Sequence, residues 1–82
     1  MQKYGIKLSL AENVKNFVNI VNKFDFDMDL RAGRHVVDAK SILGIFSLDL
    51  SKVITLEVDD DKHQGKSTIA ELEAAIKPFM AE

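Results

Sequence analysis

The 82-residue chain has no cysteine and no tryptophan, and it has a single proline. Without cysteine there is no disulfide framework and no thiolate chemistry, which fits a reducing compartment. With five Phe and one Tyr as the only aromatics, branched aliphatics must fill the core. Basic residues do not cluster: eleven Lys and Arg against thirteen Asp and Glu leave a net charge of −2. Nucleic-acid binding normally requires a basic stripe, so no nucleic-acid partner is expected. No apolar run approaches the ~20 residues of a membrane span, and the start of the chain lacks the apolar stretch of a secretory signal. These absences predict a soluble, cytoplasmic protein forming a single domain over residues 1–82, with no membrane partner.

What is present is periodicity. Tyr4, Ile6 and Leu8 alternate with Lys3 and Lys7, the period of a half-buried strand. Ser9 and Glu12 have capping-box spacing, followed by Val14, Phe17, Val18 and Val21 at helical intervals. This predicts a helix over 10–23. Phe26, Met28 and Leu30 alternate with Asp27, Asp29 and Arg31, and Gly33 marks a tight turn into a partner strand, His35 to Asp38. Ser41 can cap a short helix reaching Leu48. Ile54, Leu56 and Val58 define another strand. A second capping pair, Thr68 and Glu71, opens a helix with Ile69, Leu72, Ile76 and Phe79 on its apolar side, disturbed near its end by Pro78. The order β-α-β-β-α-β-α predicts an α+β open-faced β-sandwich: a four-stranded antiparallel sheet with three helices on one face.

Motifs with catalytic or ligand-binding potential are few. Gly65-Lys66-Ser67-Thr68 copies the tail of a phosphate-binding loop, but Asp60 stands where its first glycine belongs, and a carboxylate there repels phosphate. Asp59, Asp60 and Asp61 lack the alternating ligand spacing of a calcium loop. The two histidines, His35 and His63, have no neighbouring His or Cys to form a metal pair. No enzyme, no cofactor and no metal site is expected. The segment 41–48 is different, because Ile42, Leu43, Ile45, Phe46 and Leu48 leave a two-turn helix no polar side. Either Leu43 and Phe46 point away, toward solvent or a partner, while Ile42 and Ile45 face the core, or the whole helix is buried.

The run Lys40-Ser41-Ile42-Leu43-Gly44-Ile45-Phe46-Ser47-Leu48 resembles the segment around the regulatory serine of HPr, the histidine-containing phosphocarrier family of the bacterial sugar phosphotransferase system. The similarity extends back through Val36, Leu30 and Lys23-Phe24-Asp25 and forward to Ile54-Thr55-Leu56, about three quarters of the chain. It implies the same β-α-β-β-α-β-α fold. It also implies Ser41 as a regulatory phosphorylation site and Ile42, Leu43 and Phe46, with Lys40, as a partner-binding patch. By analogy the partners are other proteins, such as HPr kinase or a transcription regulator. The family's phosphocarrier run, Gly-Ile-His-Ala-Arg-Pro, is missing. Aligned by the helix, Leu10 replaces the phosphorylated histidine and Glu12 the phosphate-binding arginine. The expectation is a divergent, Crh-like member: a non-catalytic regulatory or adaptor domain without histidine phosphotransfer. A phosphocarrier using a non-standard site (His35 or His63) and an orphan structural domain that keeps only the fold are the alternatives.

Overall fold

The computed structural model describes residues 1–60 and 68–81. Strand β1 (Gln2–Ile6) leads to helix α1 (Ala11–Val21), then to the hairpin of β2 (Asp27–Ala32) and β3 (His35–Asp38). Helix α2 (Ile42–Phe46), strand β4 (Ile54–Asp59) and helix α3 (Ile69–Ile76) follow, and the chain tightens into a 3-10 turn at Lys77–Phe79. The four strands form one antiparallel sheet in the order β1-β4-β2-β3. This is the open-faced α+β sandwich that the alternation predicted, a four-stranded antiparallel sheet with three helices.

Register explains why the helices occupy one side. Tyr4 pairs with Leu56, Leu56 with Leu30, and Leu30 with Val37, so one apolar row crosses all four strands. Met28, Leu30, Ile54, Leu56 and Val58 are buried on that face, against Val14, Phe17, Val18 and Val21 of α1, Ile45 of α2, and Leu72 and Ile76 of α3. The next row is charged: Lys3, Glu57, Asp29 and Asp38. Because strand side chains alternate with period two, that row faces away from the helices. Glu57 holds it together, accepting from Arg31 Nε at 3.1 Å and Nη2 at 3.3 Å and lying 3.8 Å from Lys3 Nζ.

Several boundaries differ from the sequence reading. The Ser9–Glu12 capping box does not form; α1 begins one residue later, with Leu10 as N-cap. Asn13 takes the box's role, its Oδ1 accepting the Leu10 N–H at 3.3 Å. The helix also ends at Val21, where Asn22 turns its amide back to the Val18 carbonyl at 2.8 Å. Thr68 does cap α3, accepting the Glu71 N–H at 3.2 Å. Pro78 lies in the 3-10 turn, which places Phe79 edge-on against Phe17 with centroids 5.6 Å apart. Backbone bonds from Lys7 to Phe79 and from Ala81 to Gly5 then fasten the C-terminal segment along β1. Tyr4 secures α3 to the same strand by donating to Glu73 Oε2 at 3.0 Å. Burial and that bond push its phenol up to about 12.

Candidate functional site

Two helix entries carry the residues singled out in the sequence. At the first, Leu10 has extended backbone (φ −120°, ψ 149°) and lies 62% exposed, with Glu12 exposed in the first turn. An aliphatic N-cap cannot accept from the free N–H groups of the first turn, and the Asn13 side chain, which takes the N–H of Leu10 itself, does not serve them either. The position is accessible but bears no nucleophile.

At the second entry, Ser41 is exposed and caps α2, its Oγ accepting the Gly44 N–H at 3.4 Å. Polar contacts fix the segment from both sides. Asp38 accepts from the backbone of Lys40 at 2.9 Å and of Ser41 at 3.0 Å. Lys40 reaches back with Nζ to the Phe24 carbonyl at 2.7 Å, and its own carbonyl accepts from Asn22 at 3.4 Å. The Lys40 ammonium is therefore engaged with the backbone behind α1. Of the apolar residues in α2, Ile45 is buried and Ile42 packs partly on the core. Leu43 is 82% exposed and Phe46 46% exposed. Of the two readings of this segment, the one with Leu43 and Phe46 facing outward holds. Gly44 allows the close approach behind them, since a Cβ there would stand 3.3 Å from Val37 Cβ.

The structure brings α2 against α1, with Lys40 beside the C-cap of α1 and Leu10 at the opposite end, about 18 Å along the helix axis. Among the described residues, no hydrogen bond or ion pair joins Leu10 or Glu12 to the Ser41 segment. His35 is exposed on β3, where it pairs with Ala32 across the hairpin. His63, Asp61 and the Gly65-Lys66-Ser67 stretch lie outside the described residues. Asp60 sits 3.3 Å from the N-terminal ammonium, which holds its carboxyl below the usual range. Among the described residues no three His, Asp or Glu side chains gather to hold a metal ion, and no helix is long and apolar enough to cross a membrane. Sequence reasoning missed Asn13 and Asn22, the two amides that finish α1. Their only signal was asparagine near a helix end, a residue type that bonds to local backbone.

The geometry defines a small two-layer α+β sandwich with strand order β1-β4-β2-β3 and exposed residues at two helix entries. Residues 10–78 match the family model described as the PTS HPr component phosphorylation site, and the chain belongs to the HPr family. Among solved structures, HPr-C-His from Thermoanaerobacter tengcongensis is similar with a TM-score of 0.73 and 26% identity, over 95% of this chain and 89% of that one. The phosphocarrier protein HPr from Bacillus anthracis str. Ames is similar with a TM-score of 0.67 and 26% identity, over 95% of this chain and 93% of that one. No curated protein sequence matches the chain.

Proposed function

We propose that this HPr-family chain is one regulatory or adaptor domain over residues 1–82, Crh-like in lacking histidine phosphotransfer, with Ser41 as its phosphorylation site. The observation that carries the reading is the pair of replacements at the α1 entry. Leu10 stands at the family's histidine and has no nitrogen to phosphorylate. Glu12 stands at the family's arginine and repels a transferred phosphate instead of neutralising it. Ser41, by contrast, is exposed and keeps its hydroxyl at the entry of α2. Ile42, Leu43 and Phe46 supply the docking patch, and Lys40 contributes by holding the segment to Phe24. The partners are proteins, with HPr kinase or a transcription regulator as the family analogues, and the setting is cytoplasmic.

A phosphate on Ser41 adds about 1.5 to 2 negative charges beside exposed Leu43 and Phe46. That change disfavours an acidic or purely apolar partner surface and favours one bearing Arg or Lys. The test incubates the protein with enzyme I and phosphoenolpyruvate, and separately with HPr kinase and ATP, followed by phosphate mapping by mass spectrometry. Phosphate on Ser41 from the kinase, with none from enzyme I, is expected. Acid-labile phosphate on His35 or His63 at a carrier's rate overturns the reading in favour of a non-standard phosphocarrier. No phosphate from either system leaves the orphan structural domain. Restoring Leu10→His alone should still give a poor acceptor, because Glu12 remains.

A further inference from the structure

Away from both helix entries, the turn end of the β2–β3 hairpin lies beside the connection from α2 to β4, and the two enclose a cleft of about 220 Å³. Ala32, Gly33 and His35 line it from the hairpin, and Asp49, Lys52 and Val53 from the connection. The volume falls below the roughly 300 Å³ at which pockets for drug-sized ligands begin, so the cleft suits a smaller molecule. Gly33, at φ 62°, forms the turn at its edge, and no atom lies within 4 Å of where a Cβ would stand.

The lining divides into an apolar part and a polar part. Ala32 and Val53 are apolar, and Val53 is left 56% exposed although it adjoins a buried strand. On the polar side, Asp49 Oδ1 accepts the Ser51 N–H at 3.1 Å and the Ser51 hydroxyl at 2.6 Å. Those bonds hold the Asp49 carboxyl below its ordinary range. Its Oδ2 lies 3.9 Å from Lys52 Nζ, close enough to attract the ammonium and too far for a hydrogen bond. Lys52 is thus drawn to the rim while its N–H donors stay uncommitted among the described residues. The His35 imidazole likewise has no hydrogen-bond partner among them.

We propose that this cleft binds a small aliphatic carboxylate, its oxygens taking hydrogen bonds from Lys52 Nζ and the His35 imidazole and its short chain resting on Ala32 and Val53. Asp49 sets the charge preference. Its fixed negative charge tolerates a monoanion held on the far side of Lys52 and penalises a dianion, which separates a carboxylate from phosphate at alkaline pH, where phosphate is doubly ionised. The site goes beyond the regulatory reading and stands whether or not Ser41 is modified.

The test is an amide NMR titration of the full chain, at constant ionic strength, with butyrate, acetate, inorganic phosphate and 1-butanol. Butyrate should give saturating shifts concentrated at residues 32–35 and 49–53, with millimolar affinity. Acetate should bind severalfold more weakly, and phosphate and butanol more weakly again. Lys52→Gln and His35→Gln should each weaken butyrate severalfold, and Val53→Ser should weaken butyrate more than acetate. All three side chains are exposed, and unchanged spectral dispersion confirms that the variants fold. Shifts that fail to saturate, phosphate or butanol binding as tightly as butyrate, or unchanged affinity in Lys52→Gln would each overturn the proposal.

Discussion

The two helices that bear the candidate residues are held in opposite ways. Helix α1 buries Val14, Phe17, Val18 and Val21, yet its N-cap is Leu10, which offers no side-chain acceptor. Helix α2 is five residues long and buries only Ile45 within its span. Local polar bonds surround it: Ser41 Oγ to Gly44 N–H, Ser47 Oγ to the Gly44 carbonyl at 2.6 Å, and the ties from Lys40 and Asn22. The long helix therefore rests on packing and tolerates a poor cap. The short helix, with little area to bury, depends on its cap and its neighbours' hydrogen bonds. A position governed by packing can lose its polar residue without losing the fold, and Leu10 is such a position. Ser41 has a structural duty of its own, separate from any phosphate.

The largest expected effect tests the packing half of this contrast. Phe17→Ala removes a fully buried ring in edge contact with Phe79 and should cost about 3–5 kcal/mol, read as a lowered urea midpoint. A loss comparable to that of a surface substitution would mean that α1 is not held by its buried face. Next comes the cap of α2. Ser41→Ala should cost about 0.5–2 kcal/mol, while Ser41→Asp keeps an acceptor and should cost less. Hydrogen exchange should speed up at Gly44 and Ile45 in Ser41→Ala by more than the loss of global stability accounts for, and in α1 by no more than that loss. Acceleration spread evenly over both helices would remove the distinction.

A smaller effect, of opposite sign, is expected at Leu10. Leu10→Ser supplies the missing acceptor and should stabilise the protein by about 0.5–1 kcal/mol in thermal or urea unfolding. If it destabilises, the exposed leucine makes an apolar contact worth more than a cap. The smallest effect lies on the sheet face away from both helices and serves as their control. Burial, with Asp38, Glu57 and Asp27 around it, raises the Asp29 carboxyl above its ordinary value. Between its unfolded and folded values the native state binds the extra proton, so this group's contribution to stability falls as pH rises through that window. Asp29→Asn should therefore stabilise at neutral pH by a few tenths of a kcal/mol, since solvent screens the repulsion, and should flatten that slope. Exchange rates in α1 and α2 should shift only with global stability. A selective change in either helix would tie it to the charged face.

The residues whose structure was readable in advance are those governed by nearest neighbours. Met28, Leu30, Ile54, Leu56 and Val58 alternate with polar residues, and all are buried. Ser41 and Thr68 precede apolar runs, and both cap helices. Gly33 stands in a two-residue turn and alone has positive φ among the described residues. The reading failed at Ser9 and Glu12, because the helix takes Leu10 rather than Ser9 as its N-cap. A shift of one residue brought Asn13 onto the Leu10 N–H in place of the expected pair. The family resemblance assigns Lys40, beside Ser41, to the docking patch. Only the approach of Phe24 from the end of the α1 connection shows its ammonium turned inward.

What the chain determined by itself was the kind of element at each position and which side of it is apolar, because periods of 2 and 3.6 are properties of the local backbone. It also determined the chemistry present at the α1 entry, since no fold can give Leu10 a nitrogen. The strand order β1-β4-β2-β3 was decided only by tertiary structure. The outward turn of Leu43 and Phe46 and the meeting of His35 with Asp49 and Lys52 around one cleft were decided there too. Each depends on contacts between segments far apart in the chain. Their geometry is set by how the sheet's apolar rows are shared among three helices, and no local pattern records that.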